Sequence, residues 1–395
     1  MNVNFEAIQE QLRSEGLDGW LFYDHHRRDP LAYEILGLPD TLTATRRWYY
    51  FIPSEGEPRG IVHRIESHHL ESLPGTMRPY STWQEQRAAI GSILGDAKTV
   101  AMQHSPNCDI PYVAMVDAGT VDLIRSLGVD IVSSANLVQT FHATLSEEQY
   151  QSHIETGTIM DRLRKEAFAL IGDRLRSGIA ITEFDVKQFL LKGFEQHGLI
   201  TDHGPIVAVN ANASDPHYEP TATKYRVIEG ADLVLIDMWA RSKKPCGVYY
   251  DITWTGFCGA QPPSEIQNVF EIVRTARDAG FAAIKSRLDS GETPMGFEID
   301  DVVRGSIRQA GYEQFFVHRT GHSIGSSVHG TGANIDNFET HDTRKLLDNT
   351  CFSIEPGIYL PAFGIRSEFN VFVRNGSATT TGEVQSQILR VGAEI

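Results

Sequence analysis

Long apolar runs are missing from this 395-residue chain. The longest, such as Leu233–Ile236, are strand-sized, far below the roughly 20 residues a membrane span needs. Positive charge is scarce: 35 Lys and Arg face 51 Asp and Glu, so the net charge is 35 − 51 = −16. Nucleic acid and anionic membranes both demand basic patches, so neither is expected as a partner. Cysteine is rare. Cys108, Cys246, Cys258 and Cys351 are scattered without C-x-x-C spacing, which argues against a zinc knuckle or redox motif. Their isolation fits a reducing compartment. The opening residues, MNVNFEAIQEQLRSEGL, have a helical period but no apolar secretory core, so the expected location is cytoplasmic. A phosphate-cradling glycine loop and a sequence repeat are also absent.

What is present reads as globular, with 41% apolar and 22% charged residues. The length exceeds one ordinary core, so two domains are expected. Phe5–Ser14 has a helical period and ends at Gly16. Leu17–Tyr23, Trp48–Ile52, Gly60–His63, Thr99–Met102 and Val129–Ser133 read as strands, with helices over Thr82–Leu94 and Asp117–Leu127. This alternation predicts a small α/β domain over residues 1–142. His25-His26 and His68-His69 are expected to be surface histidines, because strand neighbours face opposite ways and no carboxylate is suitably spaced.

From residue 143 to 395 the order is helix, helix, sheet, then helix, helix, sheet. Ser146 through Gln149 resembles a capping box opening a long helix, and Thr182 through Asp185 caps the next, which runs to about Gln196. Ile206–Val209 and Leu233–Trp239 are strands, Ile266–Leu288 and Asp300–Gln309 helices, and the chain from Phe315 is strand-rich. The expected domain is a pseudo-symmetric α+β unit with a curved sheet at its centre.

The acidic residues of this half suggest a metal centre. Asp237 closes the run Leu233-Val234-Leu235-Ile236 and shares a strand face with Leu235. A carboxylate on a buried face is costly unless paired or metal-bound. Asp251 lies on a second strand that can hairpin back through Ser242–Gly247. Cross-strand neighbours lie roughly 5 Å apart, so the two carboxylates are expected to face one metal pair. His322 sits between glycines in His318-Arg319-Thr320-Gly321-His322-Ser323-Ile324-Gly325, and His329 follows. Glu355 stands in Ser353-Ile354-Glu355-Pro356-Gly357-Ile358-Tyr359, and Glu368 in the strand Ile365–Val373. Taken singly, each has a bland reading, a turn-capping aspartate or a satisfied core histidine. Together, four carboxylates and one imidazole suit Mn²⁺, Fe²⁺, Co²⁺ or Zn²⁺.

Asp237, Asp251, His322, Glu355 and Glu368, in this order, with G-H-x-I-G followed by E-P-G-I-Y, resemble the creatinase/aminopeptidase P/prolidase superfamily of "pita-bread" metallopeptidases. The match runs from about residue 143. The preceding domain looks like the creatinase-type N-terminal domain, with a curved antiparallel sheet expected behind it. The resemblance implies that these five residues hold two divalent metals, manganese first, with cobalt, iron or zinc as the other candidates. It implies that Glu355 shuttles a proton, and that His217, in Asp215-Pro216-His217, and His329 contact the substrate and steady its oxyanion. It implies too that Arg366, two before Glu368, orients the site or binds a terminal carboxylate of the substrate. The implied activity is cleavage of Xaa-Pro peptide bonds by a homodimer. The implied alternatives on this scaffold are a small-molecule hydrolase or lyase, like ectoine hydrolase or dimethylsulfoniopropionate lyase, and a metal-free binding module. Trp239, Trp254 and Gly330 depart from the family pattern and are expected around the substrate pocket.

Overall fold

The computed structural model describes residues 3–39 and 41–392. The chain divides into two compact units, 1–142 and 143–395. The first unit runs α1 (Phe5–Ser14), β1 (Gly19–Asp24), α2 (Pro30–Leu36), β2 (Trp48–Pro53), β3 (Arg59–His63), β4 (Thr76–Tyr80), α3 (Trp83–Leu94), β5 (Thr99–Met102), α4 (Ala118–Arg125), β6 (Asp130–Ser133) and α5 (Ala135–Val138). The sheet order is β4-β3-β2-β1-β5-β6, with β2 antiparallel to both neighbours and the other pairs parallel.

Every residue of β1 and β2 is buried, because both faces of this sheet are covered. Trp20, Phe22, Trp48 and Tyr50 pack toward α1 and α2, whereas Leu21, Tyr23, Tyr49 and Phe51 pack toward α3 and α4. The α2 helix escapes a periodicity search because it has only seven residues; Asp29 caps it and Pro30 opens it. His69 corrects the surface reading: it is buried, with Nδ1 3.4 Å from Glu66. The carboxylate three residues back is in reach because Arg64–Glu66 forms a short helical turn.

The second unit runs α6 (Glu147–Arg176), α7 (Glu183–Gln196), β7 (Leu199–Ile200), β8 (Ile206–Val209), β9 (Leu233–Ser242), β10 (Tyr250–Cys258), α8 (Ser264–Asp289), α9 (Gly296–Gln309), β11 (Ser323–Ile324), β12 (Cys351–Ile354), β13 (Gly357–Tyr359), β14 (Gly364–Arg366), β15 (Phe369–Arg374), β16 (Ser377–Thr381) and β17 (Leu389–Val391). Both capping boxes form: Ser146 and Gln149 bond reciprocally at the start of α6, and Thr182 and Asp185 at the start of α7. One sheet has the order β17-β10-β9-β7, with β8 on β9; another runs β11-β12-β15-β16; β13 and β14 pair by themselves. The β10–β17 pairing is parallel, so the sheet is mixed and not purely antiparallel.

No strand lies between 325 and 350. Buried carboxylates hold that stretch instead. Asp336 accepts from the N–H groups of Phe338, Glu339 and Thr340, and Asp342 from that of Asn334 and from Arg344. Among the described residues, no helix is long and apolar enough to cross a membrane.

His153 of α6 is fully buried, its Nδ1 2.7 Å from the Tyr249 carbonyl and its Nε2 2.8 Å from Thr381 Oγ1. Burial pulls its pKa down to about 4, against about 6.5 in an unfolded chain. The unfolded state therefore binds the extra proton between these values, and stability falls as pH drops through that window, by about 3 kcal/mol in all. Denaturant titrations at pH 7 and pH 4.5 check this. A His153→Gln variant is expected to start less stable at pH 7 and to lose less on acidification.

Candidate metal centre

The β9–β10 hairpin supplies the first two carboxylates. Asp237 pairs with Thr253, and Asp251 with Trp239. The aspartates are thus diagonal neighbours on one face, not the directly opposed pair expected from the hairpin. The other face carries Ile236, Met238, Ile252 and Trp254 into the core under α6 and α7. Trp254 accordingly does not line the centre, as alternation along a strand requires. Its ring lies beneath the Arg164 guanidinium at 3.5 Å.

His322 enters from β11's leading edge. Its backbone N–H donates to Ser353 Oγ, and its Nδ1 is 3.1 Å from the Ser323 carbonyl. That carbonyl accepts the Nδ1 proton and leaves Nε2 turned toward the carboxylates. Nε2 lies 3.2 Å from Glu355 Oε1 and 3.6 Å from Asp251 Oδ2. Glycine matters at Gly321, where a Cβ would lie 2.0 Å from the Ser353 carbonyl oxygen. Donor atoms of Asp251, His322 and Glu368 all lie within 4.8 Å of one another.

Asp237 joins this cluster through Arg366 and Thr253. Arg366 Nη2 donates to Asp237 Oδ2 at 2.5 Å, its Nε to Thr253 Oγ1 at 3.0 Å and its Nη1 to Tyr359 at 2.9 Å. Thr253 Oγ1 in turn donates to Glu368 Oε2. All three guanidinium nitrogens are therefore engaged within the protein, and Arg366 is only 3% exposed. This arrangement favours the orienting role over capture of a substrate carboxylate.

The electrostatics are unbalanced. Four carboxylates face the Arg366 guanidinium and the His322 imidazole, with His318 and His329 alongside. Burial first, then repulsion from Asp237 and Glu355, lifts Asp251 to about 7. Burial and the neighbouring Asp251 and Glu355 push Glu368 well above the usual carboxylate range. Asp237 also rises through burial, against the pull of Arg366. Glu355 moves the other way: burial opposes ionisation, but His322, His318 and Arg366 hold it well below the usual value. His322, despite burial, is raised to about 9 by Asp251 and Glu355.

The donor set fits divalent cations. Asp251 Oδ1 and Glu368 Oε1 are buried acceptor oxygens that no hydrogen-bond donor reaches. Unpartnered acceptor oxygens, and the charge they carry on ionisation, are expensive in a protein interior unless a cation meets them. Oxygen donors with one imidazole, neutral once a cation displaces its Nε2 proton, match borderline and hard divalent ions.

His329 packs edge-on against His322, with ring centroids 4.5 Å apart. Desolvation there, followed by the charges of His322 and Arg319, depresses its pKa to about 3. His217 is exposed, and its backbone N–H donates to Asp215 Oδ1. The structure gives His217 no hydrogen bond or ring contact with the cluster. Its segment is anchored from outside by Glu183, which is buried and accepts from Val209 N, Asn212 Nδ2, Tyr218 Oη and Arg226 N.

Two participants are not evident from residue type alone. Tyr359 Oη bridges Arg366 and His318 Nε2, which lies 2.7 Å away. Thr253 joins Arg366 to Glu368; its only signal is its place two residues past Asp251, on the same face. Trp239 also shares that face, and its indole N–H donates to Asp202 Oδ1 at 2.9 Å. Gly330 backs onto β11, and a Cβ there would lie 2.8 Å from Ser323 Oγ.

Comparison with known proteins follows the same residues. The family described as metallopeptidase family M24 matches residues 154–375, more than half of the chain. A Xaa-Pro dipeptidase from Lactobacillus delbrueckii subsp. lactis is 31% identical over 207 residues, 51% of this chain and 50% of that protein. The chain thus spans about half the length of the curated relatives it matches first. The crystal structure of dipeptidase PepE from Mycobacterium ulcerans superposes with a TM-score of 0.71 at 22% identity, covering 98% of this chain and 96% of that one. An X-prolyl aminopeptidase from Caenorhabditis elegans, described as a cytosolic enzyme with a di-nuclear active site, gives 0.67 at 18% identity, over 96% of this chain and 61% of that one. Likeness over nearly the whole length establishes the architecture: an N-terminal α/β domain ahead of a pita-bread domain with mixed sheets.

Proposed function

Because the chain belongs to metallopeptidase family M24, we propose that it is a dinuclear-metal hydrolase that cleaves Xaa-Pro bonds in small peptides. The observation that carries this reading is the pair of orphaned buried oxygens, on Asp251 and Glu368, beside the His322 Nε2 that faces the same carboxylates. Similarity to proteins named Xaa-Pro dipeptidase supports the substrate class.

In this proposal Asp237, Asp251, His322, Glu355 and Glu368 hold two divalent ions, with manganese the first candidate. Bound there, the ions supply Lewis acidity toward the scissile carbonyl and make a water acidic near neutral pH. Glu355 is the proton carrier. Its depressed pKa keeps it a carboxylate at neutral pH, so it accepts the proton of the attacking water and passes it to the departing proline nitrogen. Ser353 Oγ donates to Glu355 Oε1 at 3.0 Å and holds that carboxylate in place. His329 stays uncharged and offers an N–H to the developing oxyanion. His217 is assigned the same part by the family resemblance, from its exposed segment. Arg366 lessens the cost of ionising Asp237 and aims it. Residues 143–395 form the catalytic domain, 1–142 the creatinase-type one. A cytoplasmic homodimer completes the reading.

Trp239 favours one second reading, a small-molecule hydrolase, because a bulky indole stands on the face that carries Asp237 and Asp251. One assay separates the two. With Mn²⁺ added, the purified protein is expected to hydrolyse Xaa-Pro dipeptides or longer Xaa-Pro peptides. Bound metal without turnover of either class would remove the peptidase reading and leave the metabolite one.

A further inference from the structure

We propose that the amino-terminal unit contains a binding site for a small aromatic phosphate, of the nucleoside monophosphate kind. A cavity of about 710 Å³ opens at one edge of its sheet. His25 directly follows β1, His63 ends β3 and Tyr80 ends β4, while Arg46 and Arg47 directly precede the antiparallel β2. The cavity therefore lies beyond the carboxyl ends of three mutually parallel strands. In open α/β sheets this is the crevice in which ligands bind, because helix amino-termini converge there. Two do so here. Trp83, the first residue of α3, and Gly119 and Thr120, in the first turn of α4, line the same cavity.

The charge in the cavity is opposite to that of the chain. Arg28, Arg46 and Arg47 line it, with His25 and His63, in a protein of net charge −16. The one lining carboxylate, Asp117, is occupied in capping α4, accepting from Thr120 N and Oγ1 at 2.9 Å each. The Arg46 side chain donates to Thr45, and its backbone N–H to Glu66 Oε2 at 3.0 Å. The guanidinium groups of Arg28 and Arg47 have no partner among the described residues. Burial first, then the adjacent His26, Arg28 and Arg47, hold His25 below its ordinary pKa against the opposing pull of Asp24.

Guanidinium forks match phosphate oxygens two at a time. The volume is within the range of small-ligand sites and well above what a bare phosphate fills. The Trp83 side chain is 67% exposed at the rim, an aromatic face of the kind on which a base stacks. A solvated basic surface would need neither the concavity nor the indole.

Calorimetric titration of the full chain with adenosine monophosphate, inorganic phosphate and adenosine tests this. The expected result is one saturable site for the monophosphate, at least tenfold tighter than for phosphate, and no binding of adenosine. Arg28→Ala/Arg47→Ala is expected to weaken the monophosphate by about 100-fold, about tenfold for each guanidinium removed. Trp83→Ala is expected to weaken it by about tenfold and to leave phosphate binding unchanged. These side chains are exposed or without partners, so both variants should unfold at the wild-type temperature. Absence of monophosphate binding, equal binding of monophosphate and phosphate, or wild-type affinity in both variants overturns the proposal.

Discussion

Glu355→Gln is expected to lower kcat for an Xaa-Pro peptide by about 10²–10⁴-fold, the usual contribution of a positioned acid–base group. The amide has nearly the same shape, accepts the Ser353 hydroxyl and reaches His322, so the fold should be retained. It cannot take a proton from water at any accessible pH. The loss should therefore appear in kcat and not in KM, since the group acts as bonds change and not in ground-state binding. The carboxylate also faces His322, which it helps to raise to about 9 without metal. Measuring metal content beside kcat separates a lost proton carrier from a lost ligand. Full metal content with activity down 10²-fold or more supports the first; parallel loss of both identifies Glu355 as mainly a ligand.

Arg366→Ala is expected to destabilise the metal-free protein by about 3–5 kcal/mol, the cost of stranding a buried partner charge. Asp237 and Arg366 are 8% and 3% exposed, and Thr253 and Tyr359 would each lose a donor as well. Saturating Mn²⁺ should recover part of that loss, because a cation bound by Asp237 replaces the missing positive charge and binds only the folded state. Chemical denaturation with and without Mn²⁺ reads both effects. A loss below 1 kcal/mol, unaffected by Mn²⁺, would mean that Arg366 does not hold Asp237 in place.

Local rules carry much of the fold from the sequence. Ser146 with Gln149, and Thr182 with Asp185, are visible as letters three apart, and both pairs close in the structure. The burial of β1 and β2 is legible because both are continuous apolar runs. The sequence pattern places the start of α9 four residues late, at Asp300, because Gly296 gives no helical signal; Glu298 closes its first turn onto Met295 N. The stretch 325–350 reads as strand-rich because carboxylate-to-backbone bonding has no period. Glu183 and its four donors, spread over residues 209–226, cannot be recognised as a unit before the chain folds.

The candidate centre is legible as a set of residue types in order, while its internal connections are not. Arg366 and Asp237 are 129 residues apart in sequence, and nothing local pairs them. Strand alternation already separates Trp254 from Asp251 and Thr253, so its place in the core is available from spacing alone. Trp239 passes the same test and stays on the aspartate face.

The central claim is that acidic strands and one imidazole gather to hold paired divalent cations. Titration of Mn²⁺ into chelator-stripped protein, with elemental analysis of the product, tests it most directly. About two ions per chain are expected for the wild type, with loss of at least one in Asp251→Ala and in Glu368→Ala. Wild-type protein that takes up no divalent metal, or variants that bind it as the wild type does, would contradict it.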